Sequence, residues 1–251
     1  MNVKLLQWNI WYKEDIRNIA KEIKRISPDI VCLQELTVNH EDQEIKDTIK
    51  HVAETLDYNY YAPLIPLREL EDQELSLANG IFTKFPIKSQ RRVWINEPKG
   101  EGGYDDEYRA YVEVVLDIDG QDLTVGTVHM SYTHRFEVTE PKKAETDKLV
   151  VEINKPTTPF IFTGDLNATD GSYTIESVSK VLVDAGPGHD AKTWTTKPFS
   201  YQGFEEDQLN WRLDYAFTNN KIRVVSSEVI ETDYSDHLPL LIEFELKEDN
   251  K

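Results

Sequence analysis

The chain has 251 residues, of which 39% are hydrophobic and 10% aromatic, enough for a sizeable core and unlike a disordered segment. Its net charge of -18 comes from 46 acidic against 28 basic residues, which argues against strong non-specific binding to duplex nucleic acid, since that needs a basic footprint. No apolar run reaches the length that crosses a bilayer.

Met1-Asn2-Val3-Lys4 carries no signal-peptide pattern and leads straight into a strand from Val3 to Ile10. Ile16, Ile19, Ala20, Ile23 and Ile26 recur at helical spacing, and Ser27-Pro28-Asp29 stops that helix. Ile30 to Leu33 is a short apolar strand running into Gln34-Glu35. The single cysteine, Cys32, lies inside it; it has no internal partner, reads as a small buried hydrophobe, and suits a reducing, cytoplasmic setting. Residues 41 to 57 read as a polar amphipathic helix, Tyr58 to Ile65 as a strand, and Pro66 to Gln73 as an acidic connection.

Gly80 to Phe85 and Ile87 to Ile95 read as strands broken at Pro86, followed by a Gly- and acid-rich loop at 97 to 107. Ala110 to Ile118 and Leu123 to His129 form a hairpin through Asp119-Gly120, a strong turn signal. A helix is expected over 138 to 153, a buried strand from Phe160, and a helix over 173 to 184. Residues 185 to 212 have weak periodicity and read as a long loop; Leu213 to Thr218, Ile222 to Ile230 and Leu240 to Leu246 read as final strands. With no low-complexity linker, the expectation is one α/β domain over 1 to 251, with mainly antiparallel sheets covered by helices.

Polar residues gather at the ends of these strands. Phe160-Ile161-Phe162-Thr163 runs into Gly164-Asp165-Leu166-Asn167. Asp165 and Asn167 share a face if extended geometry persists; a Gly-Asp turn is the plainer alternative. Asn9, Glu35 and His129 each end an apolar run, Asp214 begins one, and Asp236-His237 precedes the last. Each alone also reads as a cap, a solvated charge or a buried histidine. Together they are the residue types that bind a metal ion, orient a water and share a proton.

The ordered set Trp8-Asn9, Gln34-Glu35, Thr127-Val128-His129, Gly164-Asp165-Leu166-Asn167, Arg212-Leu213-Asp214-Tyr215 and Ser235-Asp236-His237 resembles the endonuclease/exonuclease/phosphatase superfamily. Leu77 to Phe82 and Phe85-Pro86-Ile87 resemble its middle strands, so the likeness spans residues 3 to 246. It implies a four-layer sandwich of two packed, mainly antiparallel β-sheets flanked by helices, and a metal-dependent hydrolase of phosphate esters, whether phosphodiesterase, nuclease or phosphatase. Carried over residue by residue, Glu35 becomes the main ligand for Mg²⁺ or Mn²⁺, with Asn9 beside it and Asp236 a possible second ligand. Asp165 orients or activates water, Asn167 donates to a phosphate oxygen, and His237, paired with Asp214, is either a neutral base toward water or a protonated stabiliser of the transition state. His129 serves the leaving-group side, as in the deoxyribonuclease-like branch.

Arg109 is a candidate phosphate contact, or else a surface ion pair. Trp194, Phe199, Tyr201, Phe204 and Trp211 either stack on a substrate ring or pack the long loop onto the body. The acidic loops 66 to 74 and 97 to 107 are expected near the mouth, favouring a small phosphate ester or an exposed nucleic-acid end over duplex DNA. A catalytically idle binding domain and a phospholipid phosphodiesterase are the alternatives.

Overall fold

The computed structural model describes residues 1–41, 43–66, 76–100 and 106–247. β1 (Asn2–Asn9) is followed by α1 (Ile16–Ile26) and then β2 (Ile30–Val38), which lies parallel to β1. Parallel neighbours need a crossover, and α1 supplies it. Asp15 caps the helix by accepting from the Arg17 N–H, and Ser27 ends it in the left-handed region at φ 54°.

α2 (Thr48–Leu56) is shorter than the helix expected from residue 41. Asp47 caps it by accepting from the Lys50 N–H. The chain before it folds back: Asn39 N–H donates to Lys46 O, and the Thr48 hydroxyl donates to Thr37 O. The strand expected over 58 to 65 is two short ones, β3 (Asn59–Tyr61) and β4 (Leu64–Pro66), both paired with β5 (Ser76–Thr83). Pro63, which has no N–H to give a ladder, sits in the gap. Most of the acidic 66-to-73 connection, and 101 to 105 of the second acidic loop, lie outside the described residues.

β6 (Ile87–Asn96), β7 (Arg109–Ile118) and β8 (Gln121–His129) form a meander, turned at Asp119-Gly120 with both residues at positive φ. α3 (Glu140–Ile153) is the crossover to β9 (Phe160–Asp165), parallel to β8. α4 (Tyr173–Ser179) stops before residue 184, because β10 (Val183–Asp184) turns to pair with a later strand. The region read as one long loop contains a hairpin, β11 (Phe199–Tyr201) and β12 (Phe204–Glu206), turned at Gln202-Gly203 with both φ positive. β13 (Asp214–Thr218), β14 (Ile222–Val229) and β15 (Leu240–Leu246) complete the elements.

Two large sheets result, ordered β14-β15-β1-β2-β5-β3 with β4 also on β5, and β10-β13-β9-β8-β7-β6. Each has a parallel βαβ pair at its centre and antiparallel strands outside, a kinship of halves that is not visible as sequence repetition. The sheets pack through Val3, Leu5, Ile30, Cys32, Val112, Val125, Ile161, Ala216 and Ile242. α1 and α2 cover the outer face of the first sheet through Ile19, Ile23, Val52 and Leu56. α3 and α4 cover the second through Leu149, Ile153, Ile175 and Val178. The four layers are those expected, and the sheets are mixed with antiparallel pairs dominant. Among the described residues, no helix is long and apolar enough to cross a membrane.

Gly164 is not a turn residue but a ladder position opposite Val128. A Cβ there would stand 2.3 Å from Val128 O and 2.8 Å from its Cγ1. Gly164→Ala is therefore expected to cost about 1–3 kcal/mol through overpacking, read as a lower urea midpoint; an unchanged midpoint would show that the two strands can separate freely.

Candidate active site

Side chains alternate across a strand, so Val3, Leu5, Gln7 and Asn9 of β1 point between the sheets. Ile30, Cys32 and Gln34 do so on β2, Leu123, Val125, Thr127 and His129 on β8, and Ile161, Thr163 and Asp165 on β9. Each row turns from apolar to polar towards one end. Gln7 Nε2 donates to Gln34 Oε1, Gln34 Nε2 to Thr127 Oγ1 at 2.9 Å, and Gln7 Nε2 to Asp214 Oδ1 at 3.4 Å. This layer joins the two sheets beneath Asn9, His129 and Asp165.

Asn9 is the hub. Its Nδ2 donates to Glu35 Oε1 at 3.1 Å and to Asp165 Oδ2 at 3.0 Å, while its Oδ1 accepts from the Trp11 N–H at 3.1 Å. Glu35 sits in a break of the β2–β5 register between Leu33 and Leu36, with φ 63°. That bulge re-aims its side chain inward, where Oε2 accepts from the Tyr12 N–H at 2.9 Å. Burial pushes the Glu35 carboxyl up, against the Tyr12 and Asn9 donors.

Asp165 is the last residue of β9, and Oδ1 accepts from the Asn167 N–H at 2.9 Å. Asn167 does not continue the strand: its φ is 44°, so the shared extended face is replaced by an Asx-type turn. One amide hydrogen of Asn167 goes to Met130 O at 3.0 Å. Burial raises the Asp165 carboxyl to about 6, although His237 acts to lower it.

His237 Nδ1 lies 2.8 Å from Asp214 Oδ2, and its Nε2 lies 3.7 Å from Asp165 Oδ2. Its backbone is held by Ser235 Oγ, which accepts from the His237 N–H and donates to Asn9 O, and by Trp8 Nε1, which donates to His237 O. Burial opposes charge on this ring, but Asp214, Asp236 and Asp165 prevail and raise it to about 10. Its Nδ1–H therefore donates to Asp214.

His129 Nε2 stands 3.5 Å from Asp165 Oδ2 and 4.0 Å from Glu35 Oε1. Burial, then Arg109, His237 and Lys142, hold it well below the usual histidine range, so two histidines at one site are driven in opposite directions. Arg109 reaches the field of His129 but is ion-paired with Glu107 at 2.7 Å.

Asp236 Oδ2 accepts from Trp194 Nε1 at 3.2 Å, whereas Oδ1 is buried with no hydrogen-bond partner among the described residues. Burial, aided by Glu35 and opposed by His237, raises this carboxyl to about 6. An orphaned carboxylate oxygen in the field of a second buried carboxylate fits a hard divalent cation. Among the described residues no three His, Cys, Asp or Glu side chains form a ready cage. That donor set suits an ion such as Mg²⁺, which keeps several waters and takes one or two carboxylates.

Gln7, Lys142 and Glu145 were not singled out from the sequence, and Gln34 and Ser235 stood in its motifs without a role of their own. The inward face of β1 was the available signal for Gln7. Thr193, adjacent to Trp194 in the sequence, builds the site through Oγ1, which accepts from the Leu213 and Asp214 N–H groups. The loop aromatics pack mainly on one another: Phe136, Trp194, Phe204 and Leu213 form a core, with Tyr132, Phe199 and Trp211 against it. Trp194 also stands 6.3 Å from the His237 ring.

Comparison with known proteins adds to this geometry. The profile of the Endonuclease/Exonuclease/phosphatase family matches residues 6–237. An endonuclease/exonuclease/phosphatase from Beutenbergia cavernae superposes with a TM-score of 0.75 at 22% identity, over 98% of this chain and 72% of that one. The mannosyl-6-phosphatase of Bacteroides thetaiotaomicron gives 0.70 at 18%, over 97% and 100%. The human Nocturnin catalytic domain with bound sulfate gives 0.71 at 19%, over 98% and 94%. At these identities the likeness is one of fold. No curated protein sequence matches the chain.

The charge on His237 is open to direct measurement. In ¹⁵N-detected NMR of the metal-free protein, the ring is expected to stay protonated through pH 8. Asp214→Asn, by removing its nearest anion, is expected to lower the titration by about one pH unit or more. A wild-type ring already neutral at pH 8 would sink this assignment.

Proposed function

Since this chain belongs to the endonuclease/exonuclease/phosphatase family, whose members hydrolyse phosphate esters, we propose that it is a divalent-metal-dependent phosphoesterase acting at the Asn9–Glu35–Asp165–His237 cluster. The observation that supports it best is the shared contact of Asn9 with Glu35 and Asp165, 3.7 Å from His237. Distant chain segments are thereby joined in one cluster with acid, base and hydrogen-bond donor together.

In this reading Glu35 and Asp236 hold Mg²⁺ or Mn²⁺, with Asn9 orienting Glu35. The cation, when bound, neutralises phosphate charge that would otherwise repel a nucleophile. Asp165 accepts a proton from the attacking water. A carboxyl held near 6 by burial combines basicity with ionisation at neutral pH. His237, cationic and oriented by Asp214, attracts the phosphate oxygens as charge builds on them. Asn167 contributes its second amide hydrogen to the same group. Water oxygen bonds to phosphorus as Asp165 takes its proton, the ester P–O bond breaks, and the departing oxygen, hydrogen-bonded by His129, takes its proton from solvent. His129, neutral in the free protein, acts there as a hydrogen-bonding group rather than as an imidazolium.

The substrate proposed is a small phosphate ester or an exposed nucleic-acid end. The net charge of -18 disfavours a long polyanion, and Arg109 already faces Glu107. The family relatives of like fold include one named for a mannosyl phosphate. A cytoplasmic setting belongs to the same reading, since Cys32 is buried and unpaired.

Hydrolysis of bis-p-nitrophenyl phosphate with Mn²⁺ tests the proposal. Activity is expected to vanish in chelator and return with metal. Asp165→Asn and His237→Ala are each expected to lower kcat by roughly 10²–10⁴-fold with the fold retained. Glu35→Gln is expected to weaken metal binding, read by calorimetry. Wild-type rates in the Asp165 and His237 variants, or equal activity in chelator, would overturn it.

A further inference from the structure

The pair β8 and β9 stops at His129 opposite Asp165. Beyond that point the chains part, one towards Tyr132 and the other towards Asn167. Parting strands leave carbonyls that must find donors if buried. Two such carbonyls, Ser131 O and Leu166 O, accept from one group, Lys142 Nζ of α3, at 2.6 and 2.8 Å. One turn further along α3, Glu145 Oε1 accepts from the Ser131 N–H at 3.0 Å. Lys142 and Glu145 are each only 2% exposed. An ammonium has three donors and no acceptor, so it can bridge two carbonyls from a single atom.

What the bridge holds is specific. Leu166 O precedes Asn167, and Ser131 lies two residues after His129. Met130 between them donates its N–H to Asp165 O and accepts from Asn167 Nδ2. We propose that Lys142, with Glu145, is a positioning residue of the active site: it fixes the gap between the loops that follow β8 and β9, and so the placement of Asn167 relative to His129. This rests on the hydrolase reading for its catalytic consequence, though not for its geometry. The fold itself does not hang on the bridge. α3 is anchored independently by Leu149 and Ile153 in the core and by Arg91, which donates to Glu152 at 2.6 Å.

The test uses the full chain with Mn²⁺ and bis-p-nitrophenyl phosphate. Lys142→Met is expected to lower kcat about 10²-fold, since an ångström of misplacement suffices for that loss, while Mn²⁺ affinity by calorimetry changes less than about twofold. Lys142→Arg, which keeps a multiple donor, is expected to recover part of the rate. In NMR of the same variants, shifts are expected at the Ser131 amide, the Asn167 side-chain amide and the His129 ring, with Leu149 and Ile153 undisturbed. If Lys142→Met fails to fold, Glu145→Gln, which keeps an acceptor for the Ser131 N–H but removes the carboxylate charge beside Lys142, is expected to give the same pattern at about tenfold. A folded variant with wild-type kcat and unmoved Asn167 and His129 signals would overturn the proposal, as would a loss of Mn²⁺ affinity equal to the loss of rate. An inactive wild type would instead sink the hydrolase reading, and the loop signals would still decide the bridge.

Discussion

Four carboxylates, those of Glu35, Asp165, Asp214 and Asp236, lie in the field of the His237 ring, Asp165 and Asp214 fully buried and Glu35 and Asp236 half-buried at the edge. Anions so placed cannot all ionise without compensation. The molecule shows three responses. His237 takes a proton and keeps it, with Asp214 at 2.8 Å. Glu35, Asp165 and Asp236 have their carboxyls raised by burial. One Asp236 oxygen has no hydrogen-bond partner among the described residues. Negative charge gathered against one imidazolium is the physical basis of the cation-dependent chemistry proposed for this site.

The placement of this charge follows from the sandwich. The inner face of each central strand begins apolar, passes through an amide or hydroxyl and ends in a catalytic type of side chain. The apolar end binds the sheets through the hydrophobic effect. The Gln7–Gln34–Thr127 layer then satisfies its own polar groups across the gap, and Asp214 is tied into it by Gln7. The floor of the site is therefore a hydrogen-bonded part of the core. The parallel pairs β1–β2 and β8–β9 bring Asn9, Glu35, His129 and Asp165 to their carboxyl ends, where open α/β sheets leave a crevice.

The backbone is strained where these strands give out. Trp11, Glu35, Asn167 and Ser235 all have φ between 44° and 63°, a region costly for residues other than glycine. Each stands beside a site contact. Trp11 N–H reaches Asn9, Glu35 bridges Asn9 and Tyr12, Asn167 N–H reaches Asp165, and Ser235 links Asn9 to His237. The surrounding packing holds these turns in place.

Local pattern in the chain was enough to identify the main strands, α1, α3 and the Asp119-Gly120 hairpin, because periodicity and turn chemistry are properties of neighbours in sequence. It also named the polar strand ends, since an apolar run that stops in Asn, Glu, His or Asp is visible without coordinates. It overran α2 and α4, where tertiary pairing at Asp47 and Val183 replaced helical turns, and it missed the Gln202-Gly203 hairpin in an aromatic stretch with no clear period. Which polar ends meet, and that Lys142 spans two parting loops, were decided only by the tertiary structure. Those facts depend on distances between residues far apart in the chain, and on burial and charge, which no local pattern records.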